Sequence, residues 1–233
     1  MGYNVAIDGP AGAGKSTIAK MVAKEKAFIY VDTGAMYRAM ALYFIRQGIR
    51  PEESEKISEA AGGVDVTIEY LNGVQQVFLN GENVTACLRS EEVGNMASAS
   101  SVNGDVRKKL VELQQKLAKT ADVVMDGRDI GTCVLPDADV KVYLTASVEV
   151  RAKRRYDELK EKGQQADLEQ IRKDIEERDH RDMTRKISPL RQAEDAVLVD
   201  SSNLNIQESA AAILTLIDKN QAEKDVIGIR KNQ

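Results

Sequence analysis

A glycine-rich segment that ends in lysine and serine lies close to the start of the chain. Residues 9–16 read Gly-Pro-Ala-Gly-Ala-Gly-Lys-Ser, which fits the pattern G-x-x-x-x-G-K-[ST]. Glycine lets such a loop curl until successive backbone N–H groups point inward, where they can bind phosphate oxygens. The apolar residues 3–7 precede the loop as a predicted strand, and residues 14–25 follow it as a predicted helix whose amino-terminal dipole favours anions. The sequence therefore predicts ATP or GTP binding on a strand–loop–helix unit.

The polar residues of this loop have separate predicted roles. Lys15 can reach the β- and γ-phosphates, the Ser16 hydroxyl can ligate Mg²⁺, and Thr17 can contact the α-phosphate. Asp126 follows the apolar run Val123–Met125. An acidic residue at the end of a strand can hold Mg²⁺ through water in this class of site. The nucleotide-binding residues predicted from the loop are Gly9, Pro10, Ala11, Gly12, Ala13, Gly14, Lys15, Ser16 and Thr17.

Short apolar runs alternate with helical patterns along most of the chain. The strand-like runs are residues 3–7, 28–31, 123–125, 140–144 and 196–199. Such alternation predicts an α/β fold with a parallel sheet covered by helices. The predicted helices are residues 14–25, 35–47, 52–61, 90–101, 105–119, 147–162, 167–185 and 205–218. Residues 219–233 are polar, and we expect them to fray.

The region between residues 64 and 86 has a different pattern. Apolar and polar residues alternate with a period of two, and Asn72-Gly73 and Asn80-Gly81 interrupt the alternation. Asn-Gly between two strand-like runs is a strong signal for a hairpin. We therefore predict a small antiparallel meander inserted into the parallel scheme.

Composition excludes several classes of protein. The 233 residues are 42% apolar and 30% charged, with a formal net charge of −4. No run approaches the roughly 20 apolar residues of a membrane span. One histidine and two cysteines argue against Ser-His-Asp catalysis, multi-histidine zinc sites and a disulfide framework. We expect a reduced, cytoplasmic protein that is monomeric and does not associate with membranes.

Positive charge is concentrated in residues 151–191. This stretch holds eight of the fifteen arginines and has a net charge of +3. Arg178, Arg181 and Arg185 recur at helical spacing and share one face if the helix persists. An arginine-rich flap would stabilise a phosphoryl group in transfer and exclude water from it. A solvated, salt-bridged helix hairpin is the alternative interpretation.

Four segments together resemble the bacterial cytidylate kinases. They are GPAGAGKST in the loop, DTGAMYR at 32–38, DGRDIGT at 126–132, and ERDHRD at 177–182 with Arg185. The resemblance extends from about residue 3 to residue 218. It implies a P-loop kinase with a five-stranded parallel sheet, an inserted nucleotide-monophosphate-binding subdomain containing a small antiparallel sheet, and an arginine-rich helical lid. The implied division is a core of residues 1–36, 103–150 and 187–220, an insert of 37–102, a lid of 151–186, and a polar tail of 221–233.

The resemblance also implies an activity, which is transfer of the ATP γ-phosphoryl group to CMP or dCMP with Mg²⁺, in pyrimidine nucleotide metabolism. The implied CMP contacts are Thr33, Arg38, Ser98, Arg107, Arg128, Asp129, Asp182 and Arg185. The residues expected to stabilise the transferring charge are Lys15, Arg128, Arg178, Arg181 and Arg185. Arg151 and Arg155, one helical turn apart, could cover ATP.

Three other functions compete with this hypothesis. The nearest is another small-molecule kinase, acting on AMP, UMP, dTMP or shikimate. A nucleotide switch or scaffold that binds ATP without efficient transfer is less favoured, because the arginine set is complete. The guanine-reading tetrapeptide N-K-x-D of GTPases is absent. A nucleic-acid-dependent ATPase is also less favoured, because residues 151–191 contain one aromatic side chain, Tyr156, and so offer no stacking platform. We therefore expect ATP and CMP or dCMP as partners, and no nucleic acid.

Overall fold

The computed structural model describes residues 2–231. In chain order the strands are β1 (Asn4–Asp8), β2 (Ile29–Asp32), β3 (Val66–Leu71), β4 (Val74–Leu79), β5 (Glu82–Asn83), β6 (Val123–Gly127), β7 (Val140–Thr145) and β8 (Val197–Asp200). The helices are α1 (Lys15–Lys26), α2 (Thr33–Arg46), α3 (Ser54–Gly63), α4 (Glu91–Ser100), α5 (Gly104–Thr120), α6 (Val148–Glu161), α7 (Leu168–Thr184) and α8 (Ile206–Lys231).

The main sheet is parallel and has the strand order β2-β6-β1-β7-β8. This confirms the predicted five-stranded parallel core. β1 lies at the centre, where Ile7 is opposite both Asp126 of β6 and Val142 of β7. The loop that follows β1 therefore emerges at the middle of the sheet edge, where α/β proteins bind their ligands.

Helices cover both faces of the sheet. On one face, α1 and α8 contribute Ile18, Val22, Ile213 and Ile217 to a core that includes Ile7. On the other face, α2 and α5 contribute a second core, with Met36, Met40, Phe44, Val106 and Leu110. The methionine and aromatic residues of α2 are thus core residues, and the helices fix the carboxyl edge of the sheet between two packed layers.

The small antiparallel sheet has the order β3-β4-β5, as predicted. Asn72 and Gly73 form its first turn with φ angles of 51° and 75°, which Asn and Gly tolerate better than other residues. Val77 and Leu79 of β4 are buried in the same core as α2. The packing places this sheet beside β2, the edge strand of the main sheet.

Two elements differ from the sequence prediction. Helix α8 continues to Lys231, through most of the segment expected to fray; residues 232–233 lie outside the described residues. The Tyr3 hydroxyl donates to Asn220 Oδ1 at 2.7 Å, and the Lys224 ammonium lies 5.1 Å from the Tyr3 ring centre, so this stretch is held against the start of β1. The second difference is a wide π-type turn at Ile130–Val134 that no periodicity indicated. Within the described residues, no helix combines the length and hydrophobicity needed to cross a membrane.

Candidate functional site

A cleft of about 840 Å³ lies at the carboxyl ends of the parallel strands. Its walls come from the loop after β1, the starts of α1 and α2, the turn after β6, parts of α4 and α5, the α6–α7 hairpin and the segment after β8. Nine cationic and five acidic side chains line it. The cleft is therefore built for polyanions, although the whole chain has a net charge of −4.

The glycine-rich loop forms the floor of the cleft. Gly12 and Gly14 have φ angles of 77° and 88°, and a Cβ atom at Gly9 would lie 1.9 Å from the Leu144 carbonyl oxygen. The Lys15 ammonium donates to the carbonyl oxygens of Gly9 and Pro10, at 2.7 Å each. Burial lowers the pKa of Lys15 well below its usual value, and the nearby charge of Arg128 adds to that effect. A bound polyanion would favour the charged form.

Ser16 and Asp126, the predicted metal pair, lie side by side. The Ser16 hydroxyl donates to Asp126 Oδ2 at 2.9 Å, and the Tyr30 hydroxyl donates to Oδ1 at 2.8 Å. Burial raises the pKa of Asp126, as does the charge of Asp32, while Lys15 opposes both. Within residues 2–231, no group of three or more His, Cys, Asp and Glu side chains could hold a metal by itself. A hydroxyl beside a carboxylate fits Mg²⁺, which keeps several waters and substrate phosphate oxygens as ligands.

Ion pairs occupy the opposite end of the cleft. Asp129 pairs with Arg107, and its second oxygen lies 3.4 Å from Arg185 Nη2. Arg128 Nε donates to Asp182 Oδ2 at 2.8 Å. Burial alone would raise the pKa of Asp182, but the charge and hydrogen bond of Arg128, together with the charges of Arg178 and Arg185, lower it. These pairs hold the guanidinium groups in fixed positions before any ligand binds.

Two arginines on the wall of the cleft are not committed in this way. Among the described arginines of the cleft, Arg38, Arg154 and Arg178 form no ion pair within 4.0 Å, and of these Arg154 donates instead to the Ser201 carbonyl oxygen. Arg178 Nε is buried and has no hydrogen-bond partner. Burial, together with the charge of Arg128, lowers the pKa of Arg178 to about 10. A buried guanidinium atom without a partner is costly, so the Arg178 side chain indicates where an anion binds.

Most residues predicted from the sequence meet in this cleft. Those on its wall are Ala11, Gly12, Ala13, Gly14, Lys15, Ser16, Thr17, Thr33, Arg38, Ser98, Arg107, Asp126, Arg128, Asp129, Arg151, Arg155, Arg178, Asp182 and Arg185. Gly9 and Pro10 lie behind the wall, where they supply carbonyl oxygens to Lys15. Arg181 is exposed and is not brought to the wall, because it lies on the outer side of α7.

The arginines of α6 are more engaged with protein groups than the sequence indicated. Arg151 is 3% exposed, and its guanidinium donates to the carbonyl oxygens of Ala146 and Ala11 and to Asp179 Oδ2, at 2.9, 3.0 and 2.6 Å. Arg155 pairs with Glu158 at 2.9 Å while remaining on the wall. Arg151 therefore acts first as a structural link, and Arg155 remains closer to solvent.

Sequence reasoning missed one wall of the cleft. The segment after β8 contributes Ser201, Leu204, Asn205, Ile206, Gln207 and Ser209. Arg154 reaches this segment and donates to the Ser201 carbonyl oxygen at 2.7 Å. No motif marks the segment. Its position after the carboxyl end of a parallel strand was the signal available, because ligands of open α/β sheets bind at that edge.

The site has the parts of a P-loop phosphotransferase. At one edge of a parallel sheet it combines a phosphate-binding loop, a hydroxyl–carboxylate pair and a set of preplaced arginines. The sequence profile described as cytidylate kinase matches residues 5–219. The cytidylate kinase of Caldicellulosiruptor saccharolyticus is 52% identical over 216 residues, which cover 93% of this chain and 96% of that protein. The cytidylate kinase of Bacillus subtilis is 46% identical, with the same coverage. The chain belongs to the cytidylate kinase family.

Solved structures with little sequence similarity share the fold. An uncharacterized protein from Eubacterium ventriosum has a TM-score of 0.52 at 13% identity, with 94% of this chain and 99% of that chain covered. A gluconokinase from Sinorhizobium meliloti has a TM-score of 0.50 at 13% identity, with 95% and 97% covered. These similarities show the architecture alone, and the family follows from the close relatives.

Proposed function

We propose that this chain transfers the γ-phosphoryl group of ATP to CMP or dCMP and releases CDP or dCDP. The observation that carries the proposal is the pairing of a phosphate-binding loop with the Arg107–Asp129–Arg185 cluster across one cleft, in a chain of the cytidylate kinase family. Membership of this family does not favour the alternative acceptors AMP, UMP, dTMP and shikimate.

The donor nucleotide would lie along the glycine-rich loop. Its phosphates would replace the loop carbonyl oxygens as partners of Lys15, and Thr17 on the cleft wall would contact the α-phosphate. The adenine would lie toward the segment 201–209, beneath Arg154 and Arg155. Arg151 would hold the loop from behind through the Ala11 carbonyl oxygen.

Ser16 and Asp126 would hold Mg²⁺, with Asp126 acting through water. When bound, the ion neutralises charge on the phosphate oxygens. The Tyr30 hydroxyl orients the Asp126 carboxylate from the side opposite Ser16. This hydrogen bond keeps one carboxylate oxygen directed toward the loop.

The acceptor nucleotide would occupy the end of the cleft lined by the paired arginines. Its dianionic phosphate would bind Arg38, Arg107 and Arg185, because guanidinium groups match phosphate oxygens in geometry. Arg128, Ser98 and Asp129 would read the cytosine edge, and Asp182 would bind a ribose hydroxyl or orient Arg185. The Thr33 hydroxyl donates to the Asp126 carbonyl oxygen at 2.6 Å, so its oxygen would serve the acceptor nucleotide as a hydrogen-bond acceptor.

The acceptor oxygen is already ionised near neutral pH, so transfer needs no general base. The protein's contribution is to align the two phosphates and to stabilise the charge that spreads over the transferring group. Four cationic residues that line the cleft support this role: Lys15, Arg128, Arg178 and Arg185. Arg181 would take part only after α7 moves toward the cleft.

We also propose the division of the chain into a core of about 1–36, 103–150 and 187–220, an insert of 37–102, a lid of 151–186 and a polar tail of 221–233. The α6–α7 hairpin supports the lid, since Gly163 lies between the helices with a φ of 70°.

The free thiols of Cys87 and Cys133 support a reducing compartment, which we take to be the cytoplasm. We take the active form to be a monomer with nucleotides as its partners.

A coupled assay of ADP release with ATP and Mg²⁺ tests the proposal directly. The panel of acceptors is CMP, dCMP, UMP, AMP, dTMP and shikimate, and a reaction without acceptor measures background ATP hydrolysis. We expect kcat/KM to be highest with CMP and dCMP. Faster turnover of AMP, dTMP or shikimate, with neither CMP nor dCMP active above background, would refute the assignment.

A further inference from the structure

Asp8, the last residue of β1, is a buried carboxylate that the proposed reaction does not use. It is 4% exposed and does not line the cleft. Its Oδ1 accepts the backbone N–H of Ile130 at 2.8 Å, and its Oδ2 accepts the backbone N–H of Gly131 at 2.7 Å. One side chain therefore binds two successive N–H groups on a segment 122 and 123 positions away in the sequence.

These two N–H groups begin the turn Ile130–Val134, which follows Asp129. Within the turn, the Asp129 carbonyl oxygen accepts from Cys133 and Val134, at 2.9 and 3.2 Å. The first N–H groups of a helical segment have no carbonyl partner inside it, and the residue in front usually binds one of them through its side chain. Asp129 occupies that position, and an aspartate there is a favourable cap.

Asp129 does not act as a cap here. Its side chain makes no hydrogen bond to the turn. Its carboxylate oxygens are instead engaged by Arg107 and Arg185, at the end of the cleft assigned to the acceptor. Asp8 supplies from another strand the hydrogen bonds that the residue in front of the turn would otherwise supply.

The packing around this contact leaves little freedom. A Cβ atom at Gly131 would lie 3.4 Å from Asp8 Oδ2 and 3.2 Å from Lys141 Cδ, both on neighbouring strands of the sheet. Glycine at 131 thus allows the backbone to approach the carboxylate closely. The start of the turn is fixed between β1 and β7, and Arg128 and Asp129 stand immediately in front of it.

We propose that Asp8 is a positioning residue for the acceptor end of the cleft: by binding the N–H groups of Ile130 and Gly131, it leaves the Asp129 carboxylate free for Arg107 and Arg185. The inference rests on the proposed use of Asp129 toward the acceptor nucleotide. It predicts that changes at Asp8 affect the acceptor through Asp129, while the loop that binds ATP is affected much less.

The test is steady-state kinetics of Asp8→Asn with CMP and ATP varied in turn. Asparagine offers one acceptor oxygen and places an NH₂ group against the second N–H, so Asp129 is drawn toward the turn. We expect KM for CMP to rise by about tenfold, the effect of losing one charged hydrogen bond. KM for ATP should change much less than KM for CMP, because the Asp8 side chain makes no hydrogen bond to the loop and acts on Lys15 through its charge alone. Asp122→Asn is the matched control, because Asp122 also binds a backbone N–H, that of Tyr3 at 2.6 Å, but at the other end of β1.

A double-mutant cycle with Asp129→Asn separates positioning from general damage. If Asp8 acts by freeing Asp129, Asp8→Asn should raise KM for CMP by much less in the Asp129→Asn background than in the wild-type background. Equal fold-changes in both backgrounds, or parallel changes in the two KM values, would overturn the inference. Gly131→Ala disturbs the same contact from the opposite side and gives a second test should Asp8→Asn fold poorly; it must show the same split between CMP and ATP. Wild-type turnover of CMP is measured first, so that its absence would refute the proposed function and not the role of Asp8.

Discussion

The buried position of Lys15 has opposite consequences for stability and for the proposed activity. Its ammonium is buried against two loop carbonyl oxygens, and burial lowers its pKa, so the free protein holds this charge at a cost in stability. In the proposed reaction, the same position would place the charge beside the phosphates during transfer. Activity and stability therefore pull in opposite directions at this residue.

We predict that Lys15→Met lowers kcat by about a thousandfold, the loss typical of removing one preorganised electrostatic contact. The midpoint of urea unfolding should stay unchanged or rise, because a buried charge is removed. The exposed residue Lys24, on the same helix, provides the control variant Lys24→Met. Retained turnover in Lys15→Met would contradict the role given to the ammonium.

The protonation of Asp8 links folding to pH. Burial raises the pKa of Asp8 to about 6, and the negative charge of Asp129 contributes to the rise. The two backbone hydrogen bonds and the positive charge of Lys15 act in the opposite direction. Because the folded state binds this proton more tightly than the unfolded state, Asp8 stabilises the fold at low pH and loses that contribution as pH rises from about 4 to about 6. The shift corresponds to at most about 3 kcal/mol.

We predict that the free energy of unfolding of the wild type, relative to Asp8→Asn, falls as pH rises from 4 to 7. The asparagine side chain does not titrate. The other titrating groups therefore cancel in the difference between the two free energies of unfolding. Urea unfolding at half-unit steps of pH measures it. A difference that stays constant with pH would show that the carboxyl group titrates alike in the folded and unfolded states.

Among the elements, the contact between the small sheet and the main sheet has the clearest consequence for the site. Gln75 of β4 accepts the backbone N–H of Asp32 at 2.8 Å and donates to the Asp32 carbonyl oxygen at 3.2 Å. The Tyr70 hydroxyl donates to the Tyr30 carbonyl oxygen at 3.1 Å. The antiparallel sheet thus binds the carboxyl end of β2, from which α2 carries Arg38 to the cleft.

We predict that Gln75→Ala lowers the free energy of unfolding by about 1–2 kcal/mol, because two backbone groups of Asp32 lose their partner. KM for CMP should rise more than KM for ATP, since Arg38 lies on the acceptor side. The control is Gln76→Ala, on the adjacent residue. The Gln76 side chain accepts a hydrogen bond from exposed Asn83, so this variant should change the free energy of unfolding and KM for CMP little. Similar effects of the two variants would show that the Gln75 contact has no special role.

The sequence predicted elements well where the signal was local. Apolar runs, Asn-Gly turns and the glycine-rich loop located the strands, and a resemblance located most of the cleft residues. It failed where the stabilising partner was distant in sequence, as for the end of α8, which binds Tyr3, and for the turn at Ile130–Val134, which depends on Asp8. Periodicity cannot detect such partners. The exposure of Arg181 likewise depends on how α7 packs.

At the scale of the whole molecule, the arrangement of charge matters more than its sum. Nine cationic and five acidic side chains line the cleft, whereas the chain as a whole has a net negative charge. Arg151 joins three parts of this arrangement through one guanidinium: the end of β7, the glycine-rich loop and helix α7. The Arg151–Asp179 pair therefore connects α7 to the glycine-rich loop.

We predict that Asp179→Asn lowers the free energy of unfolding by about 3 kcal/mol, because it leaves the buried Arg151 guanidinium without its counter-charge. The loop then loses support at Ala11, so KM for ATP should rise more than KM for CMP, the reverse of the split expected at Gln75. Hydrogen exchange in α7 should also become faster without nucleotide, since fewer contacts hold the helix to the core. Glu176→Gln on the same helix is the control, because it breaks only an exposed ion pair with Arg172 and should leave exchange and kinetics unchanged. If exchange in α7 and KM for ATP are both unaffected in Asp179→Asn, α7 is not coupled to the loop through this pair.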